Sequence, residues 1–563
     1  MDSAAVQAVL LIGSSYILWR ILRPFVVSSP LAKIPGPPSP SWISGNAGQL
    51  FDSNGWEYHR KLAETYGGVC KVHGLLGDEQ LYVFDPIALH HIVVKDQYIY
   101  EEAPSFINVN KLVFGTSLLS TLGDHHRKQR KMLNPVFSPK HMRDLAPIFY
   151  PIAHQLRDLL ALRVNESDEE IDMSTWMSRA ALEYIGQGGM GYEFDALDQK
   201  KANKYHDAVK LFVYCFLLCQ SLSVIDNLHS RPTLAKHHIL QQFVPYLVKI
   251  GSPWFRRKML ELWPSKDIQK VVNIVDVMHE QSVEVYEAKK EALTKEDDTV
   301  VQQVGKGKDI LSILLKANMN SREEDRLPEE ELLGQLNTFI FAGHDTTTSA
   351  LSRILHQLSM NQDVQTKVRE EVTAARKEHG DLDYDTLMAL PWLDAVCRET
   401  LRLFAPLSQL RRTTRKDVVL PLMWPIKSAD GKSEIREIPL RKNTNIIISI
   451  INANRSKGIW GEDATEWKPE RWIGKAPDEV AKVRLPGVYS SMMTFLGGGR
   501  ACIGFKFSEL EMKLVLSILL ESFIFSPSSK EIVWNMRGLA SPTIKGSKQA
   551  RPVMPMKLTL VTK

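Results

Sequence analysis

The sequence predicts a mainly α chain with small β-sheets (α+β), preceded by one N-terminal transmembrane helix. Three observations predict it: an apolar N-terminal run, a long middle stretch that reads as helix to about residue 410, and a few short β-branched runs that suit strands. The 563 residues are 44% hydrophobic, ample for a sizeable core. Length alone would allow several domains. No low-complexity linker or internal repeat divides the middle, so the expected organisation is an anchor at 1–27, a proline-rich hinge at 28–45 and one large unit at 46–563. The net charge of +5 is small and scattered, which argues against nucleic acid as a partner. Five cysteines, Cys70, Cys215, Cys219, Cys397 and Cys502, give an odd count with no metal-ligand spacing. A disulfide framework or zinc site is not expected, and the usage fits a reducing compartment. Cys215 and Cys219, four apart in an apolar stretch, read as core packing.

From the N-terminus, Ala4 to Trp19 is apolar except for Gln7 and a few small or hydroxyl residues. Arg20 and Arg23 follow, and Phe25 to Val27 extends the run. Such a length is near the lower limit for spanning a bilayer. A cleavable signal peptide is the rival reading. Retention is favoured because the positive charges follow the apolar run and no small-x-small site precedes Arg20. Positive charge after the segment places the C-terminal bulk on the cytosolic side. Next, Ile34-Pro35-Gly36-Pro37-Pro38-Ser39-Pro40 reads as a stiff spacer, because proline fixes φ.

Val69–Gly74 and Gln80–Phe84 flank a turn containing Gly77-Asp78 and read as a hairpin. Asn165-Glu166-Ser167 is a glycosylation sequon that a cytosolic body would never present to the glycosylation machinery. Pro253 to Pro264 mixes aromatic and basic residues, which suits either an interfacial segment or an ordinary surface helix with a packed Trp. Residues 291–308 and 427–437 are charged and Gly-containing, and read as surface loops. Val418–Leu420 and Asn445–Ile451 read as strands, the latter through β-branched Ile446-Ile447-Ile448.

The most informative stretch is Phe495-Leu496-Gly497-Gly498-Gly499-Arg500-Ala501-Cys502-Ile503-Gly504, just ahead of a long helical segment. Glycines let backbone N–H groups approach a sulfur, and the positive end of a following helix lowers a thiol pKa. A thiolate so held suits axial ligation of haem iron. A buried structural cysteine beside a glycine-rich turn is the competing reading. The spacing of Phe495, Gly498, Arg500, Cys502 and Gly504 resembles the signature of the cytochrome P450 family of haem-thiolate monooxygenases. Leu496 departs from it, since the family more often has a small residue there. The resemblance covers nearly everything after residue 35. It implies a cytochrome P450 fold, haem b with Cys502 as iron ligand, and a microsomal hinge at the proline run.

Five further segments carry the resemblance. Phe341-Ala342-Gly343-His344-Asp345-Thr346-Thr347-Thr348 lies in a helical segment that opens at Pro328. Glycine and consecutive threonines are poor interior helix residues, and Thr hydroxyls can bend a helix, so a local distortion is expected here. A helix with a polar stripe is the alternative. The resemblance makes Asp345 the acid that feeds a proton relay and Thr346 the hydroxyl that hydrogen-bonds dioxygen and passes protons to it. Glu399-Thr400-Leu401-Arg402 and Pro469-Glu470-Arg471-Trp472 resemble the segments that form a buried structural cluster of Glu399, Arg402 and Arg471. Glu399 and Arg402 share one helix face, which by itself could be an ordinary surface pair. Gly123 to Lys131 resembles the segment in which a Trp and an Arg four residues apart hold a haem propionate; here His126 replaces Trp and Arg130 keeps its place. Arg127, Lys128 and Lys131 read as solvated charges or as a positive face for an acidic reductase. Of Arg411-Arg412, register with Lys416-Asp417-Val418 favours Arg412 as a further propionate ligand, with Arg500 as the third. A solvated surface charge is the alternative for each arginine.

By resemblance the substrate pocket draws on 106–119, 212–222, 339–347, 407–410 and 539–543, mostly apolar or aromatic, which implies a lipophilic substrate. The resemblance implies electrons from NADPH through a reductase with an acidic face, with cytochrome b5 as an additional donor, at the endoplasmic reticulum membrane. Asn454-Arg455-Ser456 and Trp460-Gly461-Glu462-Asp463 resemble the fungal microsomal branch, which points to a terpenoid or other specialised metabolite; xenobiotic or fatty-acid oxidation is the alternative. Two other classes use the fold: reductase-independent isomerases or dehydratases acting on peroxides, and non-catalytic haem-binding sensors. Asp345 and Thr346 argue against both, because neither needs a proton relay.

Overall fold

Proline and hydroxyl caps set where the helices begin. The computed structural model describes Ser15 and residues 29–198, 247–294, 307–474, 483–536, 538–547 and 551–561. The expected span Ala4–Trp19, the segment 212–222 and the pair Cys215/Cys219 lie outside these, Ser15 apart. Among the described residues no helix is long and apolar enough to cross a membrane. The principal elements in order are α1 (Trp56–Tyr66), β1 (Val69–His73), β2 (Glu79–Val83), β3 (Tyr100–Glu101), α2 (Pro104–Phe114), α3 (Gly123–Leu133), α4 (Pro139–Glu166), β4 (Ile171–Asp172) and α5 (Met173–Tyr184). Then follow α6 (Pro253–Glu261), α7 (Lys266–Thr294), α8 (Ile310–Asn320), α9 (Glu329–Met360), α10 (Gln362–His379) and α11 (Pro391–Leu403). The C-terminal part holds β5 (Gln409–Thr414), β6 (Val418–Lys427), β7 (Glu434–Leu440), β8 (Asn445–Ser449), α12 (Phe505–Ser522), β9 (Phe523–Ser526), β10 (Ile532–Asn535), β11 (Ser541–Ile544) and β12 (Pro555–Leu560). The mainly α, small-sheet class is thus observed.

Pro104, Pro139 and Pro391 occupy first-turn positions, where a missing N–H is harmless. Ser138 and Asp309 accept hydrogen bonds from the first turns of α4 and α8. Pro328 caps α9, and three glutamates follow in its first turn, favourable for the helix dipole. The main sheet has strand order β1-β2-β8-β5-β3. The expected hairpin is its antiparallel β1–β2 pair, with Val69 opposite Val83. Ile446, Ile447 and Ile448 form its buried centre between β2 and β5. The core is continuous through α4, α5, α9, α11 and α12, and α12 is buried along most of its length.

Three expectations change. Residues 427–437 are not all loop: Glu434–Leu440 pairs with β6, and the sequence disguised it because its charged residues face solvent while Ile438 and Leu440 are buried. Of 291–308, residues 291–294 complete α7 and 295–306 lie outside the described residues. The distortion expected around Gly343 is not observed; α9 is helical throughout, because Thr346 and Thr348 donate to the carbonyls of Ala342 and His344 without displacing the helical ladder. The proline-rich stretch is docked on the body. Leu31 and Ile34 are buried, and the Pro35 carbonyl accepts from Lys71 N–H at 2.8 Å. A Cβ on Gly36 would stand 1.9 Å from the Lys71 carbonyl oxygen, so only glycine fits this approach.

Candidate functional site: a cysteine loop facing a long helix

The loop before α12 is built around backbone approaches that demand glycine. Gly498 has φ +67°, and a Cβ there would meet the Val93 carbonyl oxygen at 1.7 Å. A Cβ on Gly497 would stand 1.6 Å from the Pro486 carbonyl oxygen. Cys502 N–H donates to the Phe495 carbonyl at 2.8 Å, which closes the loop on itself. The Phe495 ring packs edge-on against Tyr489 with centroids 5.4 Å apart and lies 6.0 Å from Phe505, bracing the loop from below. Leu496 takes φ +58°, a strained backbone for a side-chain-bearing residue, and is buried in return.

Cys502 sits two residues before Gly504, the residue that caps α12, so the expected placement at a helix N-terminus holds. It lies deep in the molecule, yet its own surface is open. Burial pushes the thiol pKa up, while the Gly504 N–H and the Arg130 charge pull it down. Cys70 and Cys397 are buried, and burial is the largest cause that drives the Cys397 thiol up to about 12. Cys502 is thus the described cysteine with both an open face and groups that favour a thiolate.

α9 meets the first turn of α12, just past the loop, where Thr347 Oγ1 and Ser508 Oγ lie 3.2 Å apart. Most of α9 is buried, but Ala342 is exposed and Thr346, one turn on, is half-buried. Phe341 to Gly343 and Asp345 to Thr346 are thus the partly open part of a helix that is otherwise buried on both sides of them. Asp345 is half-buried, its Oδ1 3.5 Å from Nδ1 of His344. The Thr346 hydroxyl donates to the Ala342 carbonyl at 2.7 Å. Of the segments expected to line a pocket, 106–119 and 539–543 contact α9 or its surroundings, and 212–222 lies outside the described residues. Phe114 of α2 packs on Phe341 at 4.9 Å, Ser349 Oγ donates to the Ala540 carbonyl, and Ala540 N–H donates to Pro406.

At one edge four cationic or imidazole groups converge. Arg130, Arg500 and His126 line a cavity of about 550 Å³. Arg130 donates to the Ala501 carbonyl and to Asn134, and Arg500 to the carbonyls of Leu118 and Thr121. Among the described residues neither has a carboxylate partner within ion-pair distance, and burial lowers the pKa of both. His126 is buried, and desolvation plus the Arg500 and Arg130 charges push it down to about 3, so it is neutral at ordinary pH. Strand alternation turns Arg411 and Arg412 to opposite faces. Arg411 lies over the Phe51 ring, whereas Arg412 joins the cluster and pairs with Glu102 at 2.8 Å. Glu102 was not foreseen; it lies far from Arg412 in sequence and no pattern flags it. It already meets the Arg412 charge, which leaves Arg130 and Arg500 better placed to hold the two carboxylates of a haem. Two uncompensated cations beside an open cysteine fit that group.

The charge cluster forms as expected. Arg402 donates through Nε and Nη2 to both oxygens of Glu399, at 2.9 and 2.8 Å, with both side chains fully buried. Arg471 reaches Glu399 at 3.4 Å and Asp463 at 2.8 Å. Trp472 Nε1 donates to Glu399 at 2.9 Å, and the remaining Arg402 protons go to the carbonyls of Asn454, Ala464 and Glu466. Trp472 and Asp463, though both stand in quoted segments, were not assigned to the cluster. All five Arg402 N–H groups and both Glu399 oxygens are engaged, the condition under which a buried ion pair is tolerated.

Comparison with known proteins agrees with this geometry. A family model described as Cytochrome P450 matches residues 35–547. Cytochrome P450 monooxygenase 91 of Postia placenta (strain ATCC 44394 / Madison 698-R) is 50% identical over 553 residues, covering 98% of each chain. A ganoderic acid synthetase of Ganoderma lucidum is 40% identical over 563 residues, covering 99% of each. A cytochrome P450 monooxygenase of Hericium erinaceus is 35% identical, covering 100% of this chain and 98% of the relative. With the family model matching most of its length and relatives of up to 50% identity aligned over nearly all of it, the chain belongs to the cytochrome P450 monooxygenase family.

Proposed function

We propose that the protein is a membrane-anchored haem-thiolate monooxygenase that inserts one atom of dioxygen into a lipophilic small molecule, by hydroxylation or epoxidation. The observation that carries this is the glycine-built loop ahead of α12 that leaves Cys502 exposed with the Gly504 N–H and the Arg130 charge acting on its sulfur, in a chain matched by the family model over residues 35–547. Bound haem supplies oxygen activation. Cys502 holds the iron as its thiolate, Arg130 and Arg500 hold the propionates with Arg412 behind them, and neutral His126 packs beside both. Asp345 collects protons and Thr346 passes them on, which requires the Thr346 hydroxyl to turn from the Ala342 carbonyl toward the cavity. Phe495 shields the sulfur side, and Glu399, Arg402 and Arg471 keep the segment ahead of the loop in register.

The substrate class is a terpenoid or related specialised metabolite; the name of the Ganoderma relative supports this reading. Electrons come from NADPH through a reductase, with cytochrome b5 as an additional donor, at the cytosolic face of the endoplasmic reticulum. Residues 1–27 anchor the chain, 28–45 form the hinge and 46–563 the catalytic domain. A second membrane contact is supported by α6: Trp254 is 70% exposed and Leu262 78%, beside Arg256 and Lys258, so the packed-Trp alternative does not hold there.

The test is expression in microsomes with a reductase, followed by the carbon-monoxide difference spectrum and product profiling on terpenoid, fatty-acid and polycyclic panels. The wild type should give the thiolate-type band and Cys502→Ser should lose it. Full turnover without reductase and NADPH would instead assign the peroxide isomerase class. A preference for fatty acids or xenobiotics would replace the terpenoid reading.

A further inference from the structure

A second cavity, of about 1,130 Å³, opens between α1, the β6–β7 hairpin and the short helix Ile450–Arg455. None of the proposed haem-binding or relay residues lines it. Its wall is aromatic, with Trp56, Phe404 and Trp424. Arg455 also lines it. Nε and Nη2 of Arg455 both donate to the Leu403 carbonyl, and no hydrogen bond engages Nη1. The Arg455 guanidinium lies 5.2 Å from the Trp56 ring centroid and 5.5 Å from that of Phe404. Behind Phe404 stands Arg353, 3.6 Å from the same ring and 4.5 Å from Trp534. Trp56 Nε1 donates to the Trp534 carbonyl, so cations and rings alternate in a closed stack.

The charge balance of this stack is unusual. Neither Arg353 nor Arg455 has a carboxylate partner among the described residues, and Arg353 Nε is buried with no acceptor. The only acids lining the cavity, Glu57 and Glu64, are both engaged by Arg60. Lys427 adds an unpaired cation at the exposed rim. Desolvated cations without a counter-charge are costly, and cation–π contacts offset only part of that cost. An anion with an apolar body would satisfy both the cations and the aromatic wall.

We propose that this cavity is a second ligand site, separate from the haem-thiolate centre, that takes an amphipathic carboxylate with its head at Arg455 and its chain against Trp56, Phe404 and Trp424. The test is calorimetric titration of the full-length, haem-loaded protein with its iron capped by 1-phenylimidazole, so that the haem cavity is filled. Dodecanoate should bind about tenfold more tightly than dodecan-1-ol, the worth of one charge-assisted contact, with the Soret band unmoved. Arg455→Gln should bring dodecanoate to the affinity of the alcohol while the carbon-monoxide band is kept. Arg455 also ties down the Leu403 carbonyl; if that variant fails to load haem, Lys427→Gln is read instead, with dodecanoate weakened about threefold. Equal affinity for acid and alcohol, unchanged binding in the variants, or release of 1-phenylimidazole as dodecanoate binds would each overturn the assignment.

Discussion

Thr346 shows how a single side chain can be structural and reactive in turn. Its hydroxyl is held by the Ala342 carbonyl one turn back, and Thr346 itself is half-buried. Thr346→Ala removes the proton donor and leaves the helix, so NADPH consumption should continue while product per NADPH falls at least about tenfold. Product assays against NADPH oxidation read the ratio; unchanged coupling would remove Thr346 from the relay. His59 offers a different residue-scale test. It is fully buried between Tyr82 Oη at 2.6 Å and the Leu50 carbonyl at 3.0 Å, and desolvation lowers its pKa to about 4. Its folded pKa lies below the unfolded value, so its contribution is present above about pH 6.5 and is lost as pH falls toward 4. His59→Gln should therefore flatten the stability-versus-pH slope in that window by up to about 1.4 kcal/mol per pH unit, measured by denaturant melts.

Elements carry constraints that no single residue reveals. α11 presents Glu399 and Arg402 to a segment some 70 positions later, where Trp472, Lys468 and Arg471 converge on one carboxylate. Glu399→Gln leaves Arg402 buried beside a neutral amide and should cost about 3–5 kcal/mol, seen as a lower melting midpoint and faster haem loss. A midpoint within experimental error of wild type would mean that the cluster is dispensable. The Gly497–Gly498 approach to Pro486 and Val93 is likewise a property of the element, because the loop can reach its position only where no Cβ intervenes. The motif marked the loop as glycine-rich; which carbonyls the glycines approach depends on the two segments behind it.

At the scale of the whole molecule, the proposed anchor predicts a separation of attachment from chemistry. Removing residues 1–27 should move the protein toward the soluble fraction and leave its carbon-monoxide spectrum intact, with the exposed α6 surface retaining weaker, salt-sensitive binding. Fractionation with and without salt checks this; complete membrane retention would place the main attachment elsewhere. The α+β class, the β1–β2 hairpin, the start of α9, the position of Cys502 ahead of α12 and the meeting of Glu399, Arg402 and Arg471 were all legible in sequence, because each rests on local periodicity, a cap or a motif read over a few residues. β7 was hidden, since its outward charges look like loop until β6 supplies the partner strand. The unbroken α9 was hidden too, because the threonine hydroxyls satisfied themselves within the helix. Sequence by itself determined the glycine-rich cysteine loop and the family. Only the tertiary structure decided that Glu102 neutralises Arg412, that Arg130 and Arg500 stay uncompensated, and that Arg353 and Arg455 stack around Phe404. Charge balance is summed over neighbours in space, and those neighbours come from segments far apart along the chain.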